Sequence, residues 1–144
     1  MLDESLLKPG KSSQEGFLGE DEKLAEVIAS DEATLKKMGI DFEQIANRIE
    51  YFIKAVPYPT RTPKIVDECY EVVGTVWRGM QECPWGDKGE YSSMDFEIKN
   101  VKTGESIFFP GLIVNLIRKH LFFEGKKSAY RVDPKKVVEV LGIQ

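Results

Sequence analysis

The chain has little of the chemistry on which many enzymes rely. Its 144 residues include one histidine, His120, and two cysteines, Cys69 and Cys83. Any histidine proton transfer near neutral pH must therefore involve His120. The sequence also lacks a nucleophile elbow, a dinucleotide fingerprint and a metalloprotease motif. The sequence leans away from an enzyme and predicts no cofactor.

Long apolar runs are also missing. No stretch approaches the roughly 20 apolar residues of a membrane-spanning helix, and Met1-Leu2-Asp3-Glu4 lacks the basic start of a signal peptide. We therefore expect a soluble, cytoplasmic protein with reduced thiols and no membrane partner. Charged residues make up 31% of the chain. Glu and Lys dominate them while Gln is scarce, a balance that favours a thermophilic source.

The charge is distributed unevenly along the chain. The formal net charge is −4, yet residues 111–144 are basic, with acids at only three positions. The bases of this end are Arg118, Lys119, Lys126, Lys127, Arg131, Lys135 and Lys136. A basic end on an acidic protein could bind a polyanion, dock against the acidic N-terminal part, or form a solvated face.

The N-terminal part reads as an arm followed by helices. Residues 1–20 are expected to form a flexible arm that can place Phe17 or Leu18 on the body, and residues 21–144 a single domain. A short helix is predicted over 21–29, with Ser30 capping a second one that runs to Met38. Asp41, with Gln44 three residues later, predicts a capping box at the start of an apolar-striped helix. Prolines at 57, 59 and 63 end that helix.

Strand signals begin at Ile65 and are clearest from 94 to 109. Apolar and charged residues alternate over Met94–Val101, Lys102-Thr103-Gly104 turns the chain, and Glu105–Phe109 returns, which predicts a hairpin. Pro110 fits the first position of the next helix, and Gly125 is expected to end it. Asp133-Pro134 predicts the start of a last helix. The order favours an α+β fold, with a small antiparallel sheet packed by N-terminal and C-terminal helices.

The C-terminal half resembles an uncharacterised prokaryotic cytosolic protein family. The resemblance covers roughly residues 94–143 and implies no known chemistry, so no catalytic residue can be transferred from it. The matching pieces are Thr103-Gly104, Phe109–His120, Phe122-Phe123-Glu124-Gly125, Tyr130-Arg131-Val132-Asp133-Pro134 and Val140-Leu141-Gly142.

Two weak enzyme-like sites can be drawn from the rare residues. His120, with Glu124 one turn later, could be an imidazole oriented by a carboxylate, or a structural histidine near a helix end. Cys69, Cys83 and His120 carry ligand types that zinc prefers, but their spacing is poor, and isolated cysteines are more often small buried hydrophobes.

Two further surfaces are candidates for binding. The loop that contains Cys83 and Trp85 could contact a ligand or partner, or Trp85 could plug one end of the sheet. The basic end, through Arg118, Lys119, Lys126, Lys127 and Arg131, lies beside Phe122 and Phe123 and could bind nucleic acid, unless those rings belong to the core.

These signals together favour a non-enzymatic cytosolic domain that binds a protein partner through an apolar or aromatic surface. The alternatives are a nucleic-acid-associated protein that uses the basic C-terminal end, and a small enzyme centred on His120 and Glu124.

Overall fold

In the described residues, four helices and four strands follow one another in the order that the sequence pattern predicts for an α+β chain. A computed structural model describes Leu18 and residues 22–76, 94–125 and 131–143. Within that part, no helix has both the length and the apolar character needed to cross a membrane. The elements are α1 (Leu24–Met38), α2 (Phe42–Ala55), β1 (Lys64–Val66), β2 (Tyr70–Val76), β3 (Met94–Asn100), β4 (Ser106–Pro110), α3 (Ile113–His120) and α4 (Pro134–Leu141).

The four strands form one open antiparallel sheet in the order β1-β2-β3-β4. The predicted hairpin over 94–109 is confirmed as β3 and β4, in which Ile98 pairs with Ile107. Every connection joins neighbouring strands. Because successive side chains of a strand point to opposite faces, the register assigns each side chain to one face of the sheet.

One face of the sheet packs against the helices. Phe52 of α2 meets Tyr70 of β2 edge to face, with the ring centroids 4.9 Å apart. Asn100 of β3 donates from its side-chain amide to the carbonyl of Val140 in α4, at 2.9 Å. Between these contacts lie fully buried residues of the sheet, helices and following segment: Ile45, Ile49, Val72, Ile98, Phe109, Leu116, Ile117, Phe122, Phe123 and Val137. Phe122 and Phe123 are therefore core residues.

Two helix starts follow from the local sequence. Asp41 accepts from the backbone N–H of Gln44 at 2.7 Å, and the Gln44 side chain accepts from the N–H of Asp41 at 2.9 Å, which confirms the capping box. Asp133 caps α4 by accepting from the N–H of Lys136, and Pro134 occupies the first turn.

The predicted break at Ser30 is wrong, because α1 runs without interruption from Leu24 to Met38. Ser30 does not cap a new helix; its carbonyl accepts from the Thr34 hydroxyl at 3.1 Å. Asp31, which would have followed the cap, lies buried inside the helix with its carboxylate on Arg131. The ion pair with the distant Arg131 thus holds Asp31 inside a continuous helix, although local propensity places Asp31 at a helix start.

Pro110 does not begin a helix, because it is the last residue of β4. The N–H of Gly111 donates to the carbonyl of Met94 in β3 at 2.9 Å. Because successive residues of a strand direct their backbone groups to opposite sides, the backbone nitrogen of Pro110 points away from β3. A proline is tolerated there because no ladder hydrogen bond is lost.

Gly125 does not end α3. The helix ends at His120 with Leu121 in the left-handed region, and the N–H of Phe122 reaches back to Leu116 at 3.1 Å. The turn at Leu121 buries Phe122 and Phe123 together, which a continued helix would splay about 100° apart.

Leu18 lies in the core and is only 1% exposed. The sequence places it or Phe17 against the body, and the structure shows this for Leu18. Phe17 and the rest of the predicted arm, except Leu18, lie outside the described residues.

Candidate functional site

The face of the sheet opposite the helices carries the arrangement most suited to binding. We call it the helix-free face, since the described helices pack on the other side of the sheet, and we define it by three pairing rows. The rows are Ile65-Glu71-Lys99-Ser106, Val73-Glu97-Phe108 and Thr75-Asp95-Pro110. Residues paired directly across antiparallel strands point to the same side, so each row is a line of neighbouring side chains.

Two large apolar side chains of the helix-free face are exposed to solvent. Ile65 is 56% exposed and Phe108 is 43% exposed, while Val73 is half-buried. Glu97 and Lys99 are exposed on the same face, and Glu71 is half-buried. Asp95 and Pro110, in the third row, are buried. The first two rows therefore form a surface in which three apolar side chains are mixed with three charged ones and a serine.

The basic end carries two arginines that are engaged within the chain. Arg118 of α3 contacts three residues of α2: its Nε lies 3.2 Å from Glu43, its Nη1 3.0 Å from Glu50 and its Nη2 2.7 Å from Asn47. Hydrogen bonding from Arg118 lowers the pKa of Glu50, and the same bond raises the pKa of Arg118. The guanidinium thus clamps α3 to α2.

Arg131 makes a second, more buried ion pair. Its Nη2 lies 2.6 Å from Oδ1 of Asp31 and its Nη1 3.0 Å from Oδ2, while Nη1 also donates to the carbonyl of Glu124 at 2.8 Å. Burial alone lowers the pKa of the Arg131 guanidinium, but the hydrogen bonds and charge of Asp31, together with the charges of Asp133 and Glu22, outweigh it and raise that pKa. Two arginines of the basic end therefore dock against acids of the N-terminal helices, one of the three possibilities that the sequence leaves open.

The remaining nucleic-acid candidates are dispersed between described and undescribed parts of the chain. Lys119 is exposed at the end of α3. Lys126 and Lys127 lie outside the described residues.

His120 and Glu124 occupy different environments. His120 is the last residue of α3 and is half-buried. Glu124 is 1% exposed, has a left-handed backbone with φ of 70°, and holds Arg131 through its carbonyl. The backbone of Glu124 thus has a structural role in positioning Arg131.

One of the three candidate zinc ligands, and the candidate contact loop, lie outside the described residues. Cys83 and Trp85 belong to that undescribed stretch, and Cys69 is a half-buried free cysteine just before β2. In the part of the chain that the structure describes, no three His, Cys, Asp or Glu side chains are grouped to hold a metal ion.

One cluster of side chains was not predicted. Arg48 of α2 lies over the rings of Tyr51, Phe52 and Tyr70, at 5.3, 4.8 and 5.5 Å from their centroids. The Tyr51 hydroxyl donates to Asp67 at 2.6 Å. The sequence shows that Tyr51 and Phe52 follow Arg48 at helical spacing. It does not show the turn that brings Asp67 to the helix.

The turn between β1 and β2 is strained. Asp67 and Glu68 are consecutive non-glycine residues in the left-handed region, with φ of 51° and 65°. Such residues cost roughly 1–2 kcal/mol each. The hydrogen bond from Tyr51 to Asp67 offsets part of this cost.

Comparison with family models, curated proteins and solved structures finds no match to the chain. The resemblance of residues 94–143 to an uncharacterised prokaryotic family stays a prediction.

Proposed function

We propose that the protein is a non-enzymatic binding domain that contacts a protein partner through the helix-free face. The observation that carries the proposal is the exposure of Ile65 and Phe108 on one face of the sheet, with Val73 half-buried between them in the pairing rows. Exposed apolar patches that are rimmed by polar residues mark protein interaction sites.

The ion pairs of the basic end support this choice over nucleic-acid binding. Arg118 and Arg131 both direct their guanidinium groups to acids of the same chain. Phosphate contacts by either arginine would have to replace these bonds. A partner that binds the helix-free face disturbs neither ion pair.

We also propose a cytoplasmic location, which rests on the low cysteine content of the chain. The proposed thermophilic source rests on the balance of Glu, Lys and Gln alone.

The experiment is site-directed photo-crosslinking in cells that express the full chain. A photoreactive phenylalanine analogue replaces Phe108 in one chain and Lys119, in the basic end, in a second. The proposal expects polypeptide adducts from position 108 and no nucleic-acid adducts from position 119. Adducts only from position 119, digestible by nuclease, would overturn it in favour of nucleic-acid binding.

A third chain controls for exposure alone. It carries the analogue at Tyr58, which is 77% exposed and lies outside the helix-free face. An equal adduct yield from positions 58 and 108 would mean that the helix-free face has no preference for a partner, and would also overturn the proposal.

A further inference from the structure

The charges of the helix-free face have an order that can be read from the pairing. Glu71 of β2 and Lys99 of β3 are direct cross-strand partners, so they stand side by side across the middle of the sheet. Their side chains lie on the face that also exposes Ile65 and Phe108. A surface with opposite charges at neighbouring positions can pair with itself under a two-fold rotation.

The rotation that achieves this is defined by the sheet. The two-fold axis lies between the two packed faces, runs parallel to the strands and passes over the midline between β2 and β3. Rotation about this axis stacks the β2 of one copy on the β3 of the other. Lys99 of each copy then lies over Glu71 of the other copy, which forms two intermolecular ion pairs. The strands of the two sheets run in aligned directions, the common geometry of packed sheets.

The same rotation stacks β4 of one copy on β1 of the other. Phe108 of each copy then lies beside Ile65 of the other, because the two residues occupy adjacent rows at opposite edges of the sheet. Glu71 and Lys99, and Ile65 and Phe108, therefore find suitable neighbours in a single arrangement. We propose that the partner of the helix-free face is a second copy of this chain.

The size of the sheet sets the strength of this association. Four strands about 4.8 Å apart give a patch about 20 Å wide, which belongs to the small, weak class of interfaces. We therefore expect the homodimer to be in exchange with monomer. Glu97 opposes association, since the rotation brings it over Val73 of the other copy and close to that copy's Glu71. Glu97→Gln therefore tightens the homodimer.

The test is sedimentation of the full chain over a range of concentrations, with charge-reversed chains alone and mixed. Glu71→Lys alone places two lysines opposite each other at each contact, and Lys99→Glu alone places two glutamates there. Each weakens self-association by at least about tenfold. When the two chains are mixed, every intermolecular contact again joins a lysine and a glutamate, so a heterodimer forms at least as readily as the wild-type homodimer.

Mixing isolates the intermolecular effect. Within each variant chain, the pairing of positions 71 and 99 is altered to the same extent whether that chain is alone or mixed. A control mixture combines Lys102→Glu with Glu105→Lys, two exposed charges of the β3–β4 turn outside the helix-free face, and shows no gain on mixing. A wild-type chain that stays monomeric at all concentrations would overturn the inference. So would reversed chains that dimerise as well as the wild type.

This inference rests on the proposed function, and the two can fail separately. A monomeric chain whose position-108 adducts contain a different protein refutes the homodimer and leaves the proposed function standing. A monomeric chain with no position-108 adduct refutes both. Adducts composed only of two copies of this chain support both.

Discussion

Arg131 and Asp31 form a two-pronged ion pair that joins residues 100 positions apart. Both prongs are hydrogen bonds, at 2.6 and 3.0 Å, and the side chains are 10% and 3% exposed. The pair ties α1 to the segment that enters α4. Its geometry is the bidentate one that distinguishes arginine from lysine.

The first prediction concerns the loss of one partner of this pair. Asp31→Asn removes the nearest counter-ion of Arg131 and leaves it with the exposed carboxylate of Asp133, 3.6 Å from Nη2, so we expect the free energy of unfolding to fall by about 3 kcal/mol. Replacing both residues with apolar ones, as in Asp31→Leu with Arg131→Met, costs much less because no buried charge remains. Urea denaturation measures both; Lys135→Ala, exposed on α4, is the control. A single variant as stable as the double variant would contradict the prediction.

The second prediction is a pH dependence at the clamp between α2 and α3. The hydrogen bond from Arg118 lowers the pKa of Glu50 from its ordinary value of 4.5. The stabilisation is therefore complete above that value and is lost as the pH falls through the lowered pKa. Glu50→Gln should lower the free energy of unfolding by less than about 1 kcal/mol at pH 7, since the pair is partly exposed. The difference from the wild type should vanish in strong acid. A difference that persists unchanged there would exclude the charge as its cause.

The third prediction concerns Tyr51 and Asp67. The hydrogen bond to the Asp67 carboxylate raises the pKa of the Tyr51 hydroxyl above 10.0. Asp67→Asn removes the negative charge, so we expect that pKa to fall towards its ordinary value. Ring resonances of Tyr51 followed by NMR against pH give the measurement. An unchanged midpoint would show that the hydroxyl does not bond Asp67 in solution.

The fourth prediction tests the strain at the β1–β2 turn. Glu68→Gly replaces a left-handed glutamate with the residue that adopts that conformation without a steric cost, so we expect a gain of up to about 1 kcal/mol in stability. The matched control is Glu105→Gly in the β3–β4 turn, because the backbone of Glu105 does not have a positive φ. It should lose stability by the same measurement. If both variants lose stability equally, the turn at Glu68 stores no strain.

Local signals in the sequence predicted the elements well where each element depends on its own residues. The Asp41 capping box, the Asp133-Pro134 start and the hairpin signal from Met94 to Phe109 all act over a few positions, and the structure confirms them. The helix starts predicted at Ser30 and Pro110 were wrong, because the structure at both positions depends on residues that are distant in the sequence. The carboxylate after Ser30 is engaged by Arg131, and Pro110 lies at an outward-facing ladder position.

The candidate site was only partly visible for the same reason. The alternation of β3 assigned Glu97 and Lys99 to one face from the sequence alone. The placement of Ile65 beside Glu71, and of Phe108 beside Glu97, required the order of strands in the sheet. The ion pairs that engage Arg118 and Arg131 join residues about 70 and 100 positions apart, which no periodicity reveals.

The fifth prediction tests the central claim, that the helix-free face as a whole contacts a protein partner. Ile65 and Phe108 lie on strands at opposite edges of the sheet, so a charge at one should disturb a partner that covers both. The measurement is the adduct yield of the photoreactive analogue at position 108, in chains that carry either Ile65→Glu or, as the control, Tyr58→Glu. We expect Ile65→Glu to abolish the adduct and Tyr58→Glu to preserve it. An adduct that survives Ile65→Glu at full yield would contradict the claim.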